Sequence, residues 1–77
     1  MNKQRRTDLT KALELLSQAA TLIEGVHEGE QEAYDNMPEG LQQAERGETM
    51  QEYLDALSII IDELANTDET ISEMIGN

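Results

Sequence analysis

Carboxylates dominate the residues that could do chemistry. The 77-residue chain carries 17 Asp and Glu against 5 Lys and Arg, a formal net charge of −12. Ten of the carboxylates lie between Glu24 and Asp55, where Arg46 is the single cation, so that stretch alone holds −9. On a helix, carboxylates three or four residues apart sit roughly 5–6 Å from each other, comparable to the phosphate spacing along a nucleic-acid strand. Glu28, Glu32, Asp35, Glu39, Glu45, Glu48 and Glu52 are therefore the set expected to face a Lys- and Arg-lined groove on a partner protein. Association led by charge is fast and salt-dependent. The absence of Trp and Phe leaves few anchors for an apolar hot spot. The plainer alternative is an acidic face that only keeps the molecule soluble.

Arg46 is the only Lys or Arg between residues 12 and 77. Its simplest role is an ion pair with Glu45, Glu48, Asp35 or Glu39 that fixes a turn. The other role is a guanidinium held for an anionic ligand or a partner carboxylate. In an oligomer, copies of Arg46, Tyr34 and Tyr53 could form a pocket that stacks and holds a nucleotide. His27 is the only histidine. Glu24 and His27 have the Glu-x-x-His spacing of di-iron helix bundles, with Glu30 on the same stripe. Such a site also needs inward carboxylates from the facing helix, and the expected facing positions are Met50, Leu54 and Leu57. No metal or cofactor is therefore expected. A Ser–His pair would have to use His27, no orienting carboxylate is indicated, and the five glycines form no phosphate loop. The chain reads as non-enzymatic.

The elements that must position these residues are helical. Leu9, Leu13, Leu16, Ala20, Ile23 and His27 follow steps of four and three, a heptad seam. Met50, Leu54, Leu57, Ile61, Leu64, Ile71 and Ile75 continue one such seam in the second half, with Asp68 on a core position. Asn66-Thr67-Asp68-Glu69 could start a new helix, but the unbroken register favours one helix with a weak spot. Asp68 is expected to cap, mark a break or pair with Lys11. Pro38 and Gly40 interrupt the pattern, and Asn36 with Glu39 has the form of a capping box. The fold expected is all-α, a single antiparallel hairpin domain over 1–77: a helix over about 6–35, a short turn or single helical loop over about 36–42 and a helix over about 43–75, its start lying somewhere in 42–49. Gly47 should soften the start of the second helix.

Both apolar stripes are wider than a two-stranded seam needs. Ala12, Ala19, Val26 and Ala33 flank the first, and Tyr53 and Ile60 flank the second. Self-association into a four-helix or larger bundle is expected, since a chain of this size buries little surface alone. Within the hairpin, the basic segment Lys3, Arg5, Arg6 and Lys11 is expected to be compensated by Glu69 and Glu73, leaving the bend negative. A disordered chain is the competing reading of high charge and few aromatics, and the sustained seams argue against it. The absence of Cys suits a reducing cytoplasm, and no apolar run reaches the roughly 18 residues of a membrane span. No apolar segment follows the basic N-terminus, as a signal peptide would require. Direct binding to nucleic acid is disfavoured by the sign of the charge.

The core Asp35-Asn36-Met37-Pro38-Glu39 and the block Glu45-Arg46-Gly47-Glu48 carry a resemblance. The segment from Glu30 to Glu48 resembles the central motif of short acidic helical proteins encoded by phages and integrated phage elements of Gram-positive bacteria. A repetitive acidic helix follows the motif in those proteins, and the stretch from Met50 to Ile75 corresponds. The resemblance spans roughly residues 5–75. It implies a phage context in a bacterial host cytoplasm and no established activity. By analogy with small acidic phage proteins, it suggests inhibition of a host defence or nucleic-acid-binding protein. A nucleotide sponge and a structural or assembly role in the phage are the alternatives.

Overall fold

The computed structural model describes residues 1–76. Three helices follow in order: α1 (Lys3–Asp35), α2 (Glu39–Gln42) and α3 (Glu45–Gly76). Among the described residues there is no strand. α1 and α3 run in opposite directions along a rod with extents of 57 × 15 × 14 Å. Two hydrogen bonds set the register. Arg6 Nη1 donates to the Ile75 carbonyl at 3.1 Å, and Ser58 Oγ lies 3.1 Å from His27 Nε2. Residue i of α1 is thus roughly level with 83 − i of α3.

The seam residues are the ones that lie between the helices. Leu9, Leu13, Leu16, Ala20, Ile23 and His27 are half-buried, as are Met50, Leu57, Ile61, Leu64, Ile71 and Ile75. Leu54, at 2% exposure, is the one buried hydrophobic residue among those described. A two-helix pair offers each side chain cover from one side only, so half-burial is the rule here. Asp68 is half-buried on the seam and α3 runs through it without a break. The Thr67 and Thr70 hydroxyls donate back to the carbonyls of Glu63 and Asn66, at 2.8 and 3.0 Å. These internal bonds satisfy the polar side chains without ending the helix.

α1 begins three residues earlier than expected, because Asn2 caps it. The Asn2 Oδ1 accepts from the Arg5 amide at 2.8 Å. Lys3, Arg5 and Arg6 in the first turn oppose the helix dipole. Arg6 instead reaches the C-terminal carbonyl end of α3, where a cation is favoured. The expected compensation of the basic segment by Glu69 and Glu73 is not formed, and Lys11 pairs with Glu14 at 3.4 Å rather than with Asp68.

The bend also departs from expectation. Asn36 and Glu39 do not form a capping box. Asn36 closes α1, its amide donating to the carbonyls of Glu32 and Tyr34, and Pro38 precedes α2 with no side-chain cap. The connection itself is as expected: it contains a single helical turn, and α3 starts at Glu45. Gln42 ties the two ends together: its Nε2 donates at 2.8 Å to the Tyr34 carbonyl, which also accepts the Met37 amide at 3.1 Å. Gly47 is buried, and a Cβ there would collide with the Gln42 backbone, whose Cα would lie 2.6 Å away. Gly47 is therefore a point of close approach between α2 and α3 and not a soft spot in a helix.

Candidate binding surface at the acidic bend

The bend places the acidic set on the outside. Glu28, Glu32, Asp35, Glu39, Glu45, Glu48 and Glu52 are all exposed. The heptad register explains the arrangement. The residues of this set on α1 and α3 fall on the outer faces, away from the seam, because Leu, Ala, Ile and Met occupy the seam positions. Glu28, Glu32 and Asp35 line one shallow groove on α1 with His27, Gln31 and Asn36. Gln31 Nε2 donates to Asp35 at 2.9 Å, which holds that carboxylate without neutralising it.

Arg46 does not perform the turn-fixing role. It is exposed and forms no ion pair with any described residue. The one ion pair among the described residues, Lys11–Glu14, lies on an exposed face of α1 remote from the bend. Among the described residues, the bend carboxylates consequently have no cation paired with them.

The three residues weighed for a nucleotide pocket are not gathered in one groove. Tyr53 lines an apolar groove with Val26, Glu30, Ala56, Leu57 and Ile60, which includes neither Tyr34 nor Arg46. Tyr34 is half-buried at the end of α1, where its carbonyl receives Gln42. Glu24, His27 and Glu30 also diverge. Glu24 lines the groove that contains Asp68, Glu30 lines the Tyr53 groove, and His27 lines the groove of Glu28 and Glu32. No three metal-ligating side chains converge among the described residues.

Sequence reasoning missed the partner of His27. Ser58 Oγ meets His27 Nε2 across the helix pair, and the donor and acceptor roles follow from the imidazole tautomer. His27 has no hydrogen bond to an orienting carboxylate, so the pair is a register contact and lacks the third group of a nucleophile constellation. The signal available in the sequence was the antiparallel register, which sets Ser58 near the level of His27.

No helix among the described residues is long and apolar enough to cross a membrane. No protein-family model, curated protein or solved structure matches the chain.

Proposed function

We propose that the chain is a non-catalytic, phage-type accessory protein that binds a host protein through its acidic bend. The partner is one with a basic groove, such as a defence or nucleic-acid-binding protein, and the bend takes the place of nucleic acid. The reading includes self-association of the hairpin into a helical bundle. One observation carries it: seven exposed carboxylates at one end of a rod have no cation paired with them among the described residues. An acidic face that served only solubility would work equally well interspersed with cations, as most soluble surfaces are. A surface of one sign steers an oppositely charged partner and raises the encounter rate.

Capture of partners from lysate of a Gram-positive host, in rising salt, tests the proposal. The partner should be lost by about 0.5 M salt, where screening extends over only a few ångströms. It should also be lost on replacing Glu28, Glu32 and Glu48 together by Lys. A partner retained through both treatments contradicts the reading. So does tight binding of cyclic or linear nucleotides in calorimetry, which would favour the sponge.

A further inference from the structure

The two long sides of the rod differ. One side carries the groove of Leu16, Ser17, Ala20, Glu24 and Asp68. The other carries the groove of Val26, Tyr53, Ala56, Leu57 and Ile60, and helical spacing adds Leu15 and Leu22 to it. This second side is apolar yet uncovered: Leu22 is 72% exposed, Tyr53 59% and Val26 58%. Besides Glu30 in the groove, spacing puts only three of the chain's carboxylates on it, Asp8, Glu45 and Glu63.

We infer that this side is covered by a second copy of the chain, running in the opposite direction, to form an antiparallel four-helix dimer. The inference deepens the self-association within the proposed reading and depends on no other part of it.

Area points to a partner copy. The hairpin exposes 5685 Å². A folded monomer of 8.6 kDa is expected to expose about 4,700 Å². The excess of roughly 1,000 Å² per copy matches the approximately 800 Å² that each partner buries in a standard interface. Glu28, Glu32, Asp35 and Glu48 need no desolvation in such a pairing, because they lie away from the covered side.

Charge sets the direction. The bend half holds −9, while residues 1–11 hold +3. Copies aligned in the same direction would bring two bends together. A two-fold axis near the level of Leu22 and Ile60, the middle of the apolar side, reverses the second copy. Arg46 of one chain then lies near the level of Asp8 of the other. Arg5, which has no ion pair among the described residues, lies near the level of Glu39. Of the seven bend carboxylates, Glu45 alone shares the covered side, near the level of Arg5 and Arg6 of the other copy, and the other six stay exposed on the dimer.

Sedimentation equilibrium and pulsed electron resonance on the full chain test this together. The protein should sediment at twice 8.6 kDa. The double variant Leu22→Glu, Ile60→Glu should sediment at 8.6 kDa and remain helical by circular dichroism. If that variant loses its helicity, Leu22→Ser provides the same reading, as a weakened dimer. Spin labels on Met74→Cys should lie about 40 Å apart, the reversal of 27 residues of helical rise. A monomer at about 100 µM overturns the inference, as does a dimer indifferent to both variants. A label distance under about 20 Å overturns the direction. Replacing Glu28, Glu32 and Glu48 by Lys should leave the mass unchanged, so failure of partner capture and failure of the dimer are read separately.

Discussion

Gly47 and Gly25 show how one residue type answers to different physics in the same molecule. Both lie within long helices, where Gly costs up to about 1 kcal/mol relative to Ala. Nothing lies within 4 Å of a Cβ built on Gly25, whereas at Gly47 the added carbon runs into the backbone of Gln42. Gly25→Ala should raise stability by roughly 0.5–1 kcal/mol. Gly47→Ala should lower it by about 1–3 kcal/mol, because backbone cannot rotate aside as a side chain would. Urea unfolding followed by circular dichroism separates the two signs. Leu54→Ala should cost roughly 2–5 kcal/mol, since Leu54 is the one fully covered hydrophobic residue among those described. The seam that contains Leu54 was legible from spacing alone. The role of Gly47 was not, because only the return of α2 onto α3 reveals the close approach, and no local pattern encodes it. Arg46 was misread for a related reason: proximity in sequence to Glu45 and Glu48 does not create an ion pair on an exposed helix end, where holding a long side chain costs about as much as the pair returns.

The helices were readable because heptad spacing is a property of a single strand of sequence. Both seams and the continuity of α3 through Asp68 stand as expected. The bend was less readable, because one-turn helices and caps depend on a few competing hydrogen bonds. Asn36 could serve the start of α2 or the end of α1, and it closes α1. Gln42 is the residue that joins the two elements, through a part-buried bond to the Tyr34 carbonyl. Gln42→Ala should therefore cost about 1 kcal/mol, the net value of one such hydrogen bond. The loss should appear first as faster amide exchange across the C-terminal turn of α1. Unchanged exchange there would mean that the bend is held by Pro38 and the α2–α3 packing alone.

The whole molecule is a thin acidic rod with little internal neutralisation. A charge of −12 with a single exposed ion pair among the described residues leaves net repulsion in the folded state. Thermal stability should rise as salt goes from about 0.01 to 0.3 M, since screening relieves that repulsion. A fall would mean that attractive charge pairs hold the structure. The overall hairpin and the acidity of its bend were legible in the sequence, because both follow from where Pro38 divides the chain. What covers the apolar side was not, since a stripe of Leu, Val and Ala is the same whichever surface meets it. The one-ended charge of the rod is the central claim, and nuclear magnetic resonance with an oligolysine probe examines it most directly. Amide shifts should concentrate between residues 28 and 52 and vanish in high salt. Shifts spread evenly along the rod, or centred on the chain termini, would contradict it.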